Sequence, residues 1–311
     1  MARELINCCL AGWREIDDEK KMASYIGLGT AQFAPDYGVS SGKNPLTDED
    51  VGNMLAICKK RGITTIDTAE VYGNAELRLG CHDLSNFELI SKICLTGQLE
   101  DYGLLESSLI GSITRLSVEK LDAVLVHNAE NVSLNVLSKS LEILDSMVNQ
   151  GLCNRIGVSL YNPLNITGIY GVGRVDVMQA PFNVFDRRLD DAGLLYWCRE
   201  NGIDVHVRSV FLQGLLLMRD EQRPDYFDSW SILFNKWIEW YESHKMCAMS
   251  GAFAAIAHGI DKGVSRLIVG AEHPAQLEEI IDLSRTPAIT APPSLRCDDL
   301  RLIEPYRWSL H

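Results

Sequence analysis

One phrase, repeated along the chain, limits this sequence to very few folds. An amphipathic helix runs into basic or amide residues, then a glycine, then an apolar strand within a few positions, with the glycine at 62, 151, 202 and 263. Glycine suits that junction because leaving an α-helix commonly needs a left-handed residue, and only glycine adopts that conformation without steric cost. Eight apolar runs read as strands: 26–29, 63–67, 87–92, 121–127, 154–159, 175–179, 203–208 and 266–270. Helical patterns separate nearly all of them, which implies a parallel sheet joined by right-handed crossovers. Eight such units suit closure into an α/β fold of the (β/α)8 TIM-barrel type, with an open doubly wound sheet as the alternative. The barrel is preferred because ionisable residues fall at the ends of many strands, whereas a doubly wound sheet concentrates its site at one switch point.

The helical segments carry their own signals. Thr47 with Asp50 three residues on predicts a capped start, followed by a buried face of Val51, Met54, Leu55 and Cys58. From Leu134 onward, Leu134, Leu137, Leu141, Leu144 and Val148 recur by threes and fours, a stripe that must pack on something flat and apolar. Residues 1–23 are charged and irregular and read as an appended N-terminal arm before a single domain over 24–311. The longest connection, about 209–251, repeats Phe227, Trp230, Leu233, Phe234, Trp237, Trp240 and Tyr241 at helical spacing. Those rings fit a helix buried against the barrel wall better than an overhang shaping a substrate pocket.

Composition narrows the partners. A formal net charge of -13 over 311 residues opposes nucleic acid and anionic membrane surfaces, which leaves a small metabolite. Nine scattered cysteines form no C-x-x-C pair, and the histidines show no ligand spacing, so reduced thiols and no metal are expected. No run approaches the ~18 apolar residues of a membrane span, and the start lacks a signal-peptide pattern, so a cytoplasmic location is expected. The sequons at Asn131 and Asn165 are then silent. Gly27 and Gly29 begin like a dinucleotide fingerprint, but Gln32 stands where its third glycine belongs, and a Rossmann reading is discarded.

The chemistry gathers at three strand ends. Asp67 and Tyr72 follow the second strand, Lys92 ends the third and His127 the fourth. A phenol with an ordinary pKa of ~10 is a poor acid at neutral pH unless a nearby ammonium stabilises its phenolate, and Lys92 is placed to supply that charge. Asp67 would keep the lysine charged, and His127 would orient a carbonyl or relay a proton. The set suits protonation of a carbonyl oxygen while hydride reaches its carbon. A protein has no hydride to give, so a nicotinamide cofactor is implied.

These residues resemble the aldo-keto reductase superfamily. Its pattern D-T-A-x-x-Y-G-x-x-E reads here from Asp67 through Tyr72 to Glu76, followed in order by Lys92 and His127. The resemblance continues through 156–159, 177–183, 209–215 and 268–277, and covers nearly everything from Tyr25 to the end. It implies a (β/α)8 barrel and NAD(P)H-dependent reduction of aldehydes or ketones. Carried over to this chain, it makes Tyr72 the general acid, Asp67 and Lys92 its tuning pair, and His127 the carbonyl-orienting group. Gly29 and Thr30, with Asp67, match the strand ends that touch the cofactor, and Ser159 and Gln179 match the residues that hold the nicotinamide carboxamide. Phe182 stands where a tyrosine usually stacks on the nicotinamide. Ser209, Leu212 and Gly214 match the pyrophosphate loop, while Gly270, Glu272, Gln276 and Glu279 match the segment gripping the adenosine end.

Departures from the family pattern matter. The usual Ser-Asn pair is Ser159-Leu160, which removes one carboxamide contact. Glu272 replaces what is often a basic or small residue near the adenosine ribose, and no lysine or arginine follows through Gln276. A carboxylate would repel a 2′-phosphate yet accept a hydrogen bond from a free 2′-hydroxyl. Family habit favours NADPH, but Glu272 counts against it, so the expected cofactor is NADPH or NADH. The leading expectation is an oxidoreductase acting on a small carbonyl or sugar-derived substrate, with the oligomeric state unread. The alternatives are a nicotinamide-cofactor-binding regulatory subunit with little turnover, and a role in cell-surface carbohydrate synthesis resting on the 179–189 and 211–217 segments.

Overall fold

A computed structural model describes residues 25–34, 46–95, 102–166 and 171–309; the expected arm over 1–23 lies outside them. Eight strands close into a barrel in chain order: β1 (Ile26–Gly29), β2 (Thr65–Asp67), β3 (Glu88–Cys94), β4 (Leu121–His127), β5 (Cys153–Ser159), β6 (Val177–Pro181), β7 (Asp204–Arg208) and β8 (Val264–Gly270). Every neighbouring pair is parallel, including β1 with β8. The closed barrel, rather than the open sheet, is therefore the fold.

The α-helices between and after the strands are α1 (Asp48–Arg61), α2 (Ala75–Gly80), α3 (Tyr102–Leu116), α4 (Leu134–Asn149), α5 (Arg188–Asp191), α6 (Leu194–Glu200), α7 (Ser231–Ser243), α8 (Ala248–Ile256), α9 (His258–Lys262), α10 (Pro274–Leu283) and α11 (Leu300–Ile303). Helix α1 starts on the expected capping box, with the Asp50 N–H donating to Thr47 Oγ1 at 3.1 Å and the Thr47 N–H to Asp50 Oδ2 at 2.9 Å. All four junction glycines have positive φ, from 67° at Gly202 to 122° at Gly263, so the repeated phrase marks where the chain turns out of a helix toward the next strand.

Two details differ from the pattern. On α4 the buried face is Val136, Leu137, Ser140, Leu141, Leu144 and Met147, while Leu134, the first residue of the helix, is 53% exposed. On β3 the strand runs two residues beyond Lys92, since the Cys94 N–H donates to Glu70 Oε1 at 2.7 Å and Cys94 pairs in register with His127. The aromatic connection behaves as core: Phe234 and Trp237 on α7 meet Phe185 edge to face, Trp237 stacks on Trp240, and Trp237 Nε1 donates to Leu216 O at 3.0 Å.

Strand registers show how the barrel positions a site. Alternate residues face inward, and the cross-barrel bond from Gln179 on β6 to Asp67 on β2 fixes which ones. A polar layer at the strand starts contains Thr65, Glu88 and Arg266, with Arg266 donating to both of the others. Above it Ile90, Ala123, Leu125 and Val177 form a separate apolar plug. Over the plug, at the C-terminal ends, stand Asp67, Lys92, His127, Ser159 and Gln179. A TIM barrel is thus a packed core whose last inward layer is free for chemistry.

Candidate active site

Lys92 is the centre of the layer. Its side chain is fully buried, and its ammonium donates to Asp67 Oδ1 at 2.6 Å and to Thr68 O at 2.7 Å. Gln179 Nε2 donates to the other Asp67 oxygen at 2.7 Å, and Ser159 Oγ donates to Gln179 Oε1 at 3.2 Å. A chain of buried polar groups therefore spans the barrel from β3 through β2 to β6 and β5. Such a network is costly unless it is satisfied, and satisfaction fixes every member in place.

Tyr72 hangs over this layer, half-buried, with the Lys92 ammonium 5.0 Å from its ring centroid. Its loop is held by hydrogen bonds from the Tyr72 N–H to Ala69 O at 3.0 Å and from the Ala75 N–H to Tyr72 O at 3.0 Å. Burial raises the Tyr72 phenol well above its ordinary pKa, the Asp67 carboxylate raises it further, and Arg208 partly opposes them. In the resting fold desolvation sets the direction of this shift, with the Lys92 ammonium hydrogen-bonded to Asp67 and Thr68. The phenol stays protonated through the neutral range.

His127 lies edge-on to Tyr72 with ring centroids 6.3 Å apart. Burial first, then the charges of Lys92 and Arg208, push its pKa down to about 3, so the imidazole is neutral at working pH. Its Nδ1 lies 3.4 Å from Cys94 Sγ, which leaves Nε2 for another partner. The last motif residue, Glu76, has a structural part: it accepts from Ser91 Oγ at 2.6 Å and Arg115 Nε at 2.8 Å, tying α2 to β3 and α3.

An open cleft runs from this inner end across the barrel mouth. Of the expected site residues, Gly29, Thr30, Asp67, Tyr72, His127, Ser209, Gly214, Gly270, Glu272 and Gln276 line it. Lys92, Ser159 and Gln179 lie fully buried beneath its floor, reached through Asp67. Leu212 is buried within its loop and Glu279 is exposed on α10, and neither lines the cleft. Phe182 is buried behind the wall, its ring edge to face with His258 at 5.9 Å, and is not presented to the cleft either.

The loop after β7 is the most strained part of the wall. Ser209, Leu212 and Gln213 take φ of 58°, 50° and 53°, ahead of Gly214 at 87°. Left-handed non-glycine residues cost roughly 1–2 kcal/mol each, and such strain clusters where backbone must be presented to a ligand. Asn183 Nδ2 holds the loop by donating to Ser209 O at 3.1 Å.

Sequence reasoning missed Arg208 and Tyr161. Both line the cleft, with the guanidinium 4.2 Å from the Tyr161 ring centroid and Tyr161 stacked on His127 at 6.2 Å. The signal for Arg208 was the one already used elsewhere, an apolar run stopping at an ionisable residue. Tyr161 sits in a loop that carries no periodic pattern.

The fold and the site together define a class: a (β/α)8 barrel with a buried Lys–Asp pair, a tyrosine and a neutral histidine at its C-terminal mouth. The chain belongs to the Aldo/keto reductase family, whose model matches residues 25–292. It is 26% identical over 221 residues to the NADH-specific methylglyoxal reductase of Escherichia coli (strain K12), a match covering 62% of this chain and 65% of that one. A "probable voltage-gated potassium channel subunit beta" of Oryza sativa is 25% identical over 209 residues, 61% of this chain and 63% of that one. The chain thus spans just under two thirds of the length of these curated relatives. An aldo-keto reductase from Bacillus halodurans shares the fold with a TM-score of 0.69 at 17% identity, covering 86% of this chain and 88% of that one. No helix of the described residues is long and apolar enough to cross a membrane.

Proposed function

We propose that the protein is an NADH-dependent reductase of small aldehydes or ketones, sugar-derived carbonyls among them, with Tyr72 as proton donor. The observation that carries this reading is the gathering of Tyr72, His127 and the Lys92–Asp67 pair at one end of a single cleft. The residues fit a dinucleotide. The strained 209–214 loop contributes Ser209, Gln213 and Gly214 to the cleft lining, and the bare Gly270 lets the Gln32 amide lie against the strand end beside it. Gly29, Thr30, Ser209, Gly214, Gly270 and Gln276 would hold the nucleotide. When bound, it supplies the hydride.

The chain's own residues do the rest. The Tyr72 O–H gives its proton to the carbonyl oxygen, and the ammonium beneath its ring stabilises the negative charge that develops on the phenol. Asp67 pins that ammonium, and neutral His127 orients the carbonyl through Nε2. Glu272 also lines the cleft, beside Gln276, whose Oε1 accepts from the Glu272 N–H at 2.6 Å. The carboxylate disfavours a 2′-phosphate, and the name of the Escherichia coli relative supports NADH over NADPH.

The test is oxidation of NADH and NADPH with a panel of aldehydes, ketones and aldoses, beside fluorescence titration of both nucleotides. Tyr72→Phe is expected to lose about 100-fold or more in turnover while still binding nucleotide. Undiminished turnover in that variant would sink the mechanism. The likeness to the rice protein favours a second reading, a nucleotide-binding regulatory subunit. Tight NADH retention by the wild type with no turnover on any substrate would select it.

A further inference from the structure

We infer that Arg208 makes this cleft selective for a carbonyl compound that also carries an anionic oxygen group, a carboxylate or a phosphate. The inference rests on the reductase reading above and adds the substrate class to it.

Arg208 is the single lysine or arginine among the described residues that line the cleft. It ends β7 and is half-buried, yet no described carboxylate forms an ion pair with it. Among the described residues the fully buried cations are paired, Lys92 with Asp67 and Arg188 with both Asp186 and Glu304, whereas half-buried Arg187, also without an ion pair, donates to three backbone carbonyls away from the cleft. A half-buried guanidinium without a counter-ion keeps its charge unneutralised, and neutral partners repay only part of its lost hydration. An anion arriving in the cleft would repay the rest.

The fork is held ready. Nη2 donates to Leu160 O at 2.8 Å and Nη1 to Ser209 Oγ at 3.2 Å, which uses two of its five N–H groups. Its carbon lies 4.2 Å from the Tyr161 ring centroid, so the plane is fixed against an aromatic face.

Position then ties the charge to the chemistry. Tyr161 stacks on His127 at 6.2 Å and carries Arg208 on the same ring at 4.2 Å, so the guanidinium lies within roughly ten ångströms of the imidazole. A carbonyl oxygen held by Tyr72 and His127 leaves an anionic group a few bonds away within reach of the fork. The charge balance agrees. Asp67 is neutralised by Lys92 and His127 is neutral, so beside the reacting groups the cleft carries the positive charge of Arg208.

The experiment compares kcat/KM for paired substrates that differ in charge: 4-oxobutanoate against its methyl ester, and glyceraldehyde 3-phosphate against glyceraldehyde. The wild type is expected to prefer the anionic member of at least one pair by about 10- to 100-fold, mainly through KM. Which pair shows the larger ratio identifies carboxylate or phosphate. Arg208→Met should bring that ratio to near one, Arg208→Lys should keep part of it, and raising salt from 20 to 500 mM should erode it in the wild type without any mutation. Equal kcat/KM within both pairs in the wild type would overturn the inference and leave the reductase reading standing. So would a ratio that persists in Arg208→Met while the NADH dissociation constant rises, since the arginine would then belong to the nucleotide. Turnover with no member of either pair would overturn both.

Discussion

At the scale of residues, the Lys92–Asp67 pair decides most. Both partners are buried, and each carboxylate oxygen already has a donor, Lys92 on one side and Gln179 on the other. Lys92→Met would leave a buried carboxylate with a neutral amide as its remaining donor in this network, a change that typically costs about 3–5 kcal/mol. The expected result is a urea midpoint lowered accordingly with the slope unchanged, and partial recovery when Asp67→Asn is added to remove the stranded charge. A single variant unfolding at the wild-type midpoint would show that the pair is not the buried unit described. These residues were legible because each sits at a strand end, where an apolar alternation breaks on an ionisable side chain. The raised phenol of Tyr72 was not legible, since burial and the competing demand of Asp67 on the ammonium exist only once the barrel closes. The surroundings of Phe182 were likewise not legible, since its edge-to-face contact with His258 joins residues far apart in the chain.

At the scale of elements, the site depends on β5 and β6 lying close enough for Ser159 to reach Gln179. Gly157 is what allows it, because a Cβ there would overlap the Val177 carbonyl and stand 3.1 Å from Leu125 Cδ2. The obstacle is backbone, which cannot swing away as a side-chain tip would. Gly157→Ala is therefore expected to lose about 1–3 kcal/mol or more in urea unfolding and to weaken turnover, because β5 must move off β6 and carry Ser159 with it. Wild-type stability and activity together would show that the strands tolerate separation. Helices and strands were read well where periodicity is long, as in α1 and α4. The edges were less legible: β3 gains Cys94 through a bond to Glu70, a contact between residues 24 apart that no local pattern announces. Leu134 shares the spacing of the buried stripe yet is exposed, because spacing does not say where along the helix burial begins.

At the scale of the whole molecule, closure of the barrel buries two histidines that the unfolded chain would leave in water. His127 at the mouth and His206 inside β7 both have their pKa pushed down to about 3, first by burial and then by neighbouring cations. For His206 those cations are Arg155 and Arg266 below and Lys92 above. Folded pKa values below the unfolded value of ~6.5 mean that, between those limits, the unfolded chain binds protons that the native state refuses. Stability conferred by the neutral rings is therefore complete above about pH 6.5 and is lost as pH falls. The slope approaches about 1.4 kcal/mol per pH unit for each histidine. Carboxylates held below their ordinary range, such as Asp50 and Glu304, add their own loss only as the pH nears that range. Urea unfolding at pH 7.5, 6.0 and 5.0 should show a midpoint that falls on acidification. His206→Leu should roughly halve the slope between pH 6.0 and 5.0, because it removes one titrating ring together with a buried Nδ1 that has no hydrogen-bond partner. A wild-type midpoint that is flat from pH 7.5 to 5.0 would mean that the rings are already hydrated in the native barrel, and that the closed, water-excluding interior is not the state in solution.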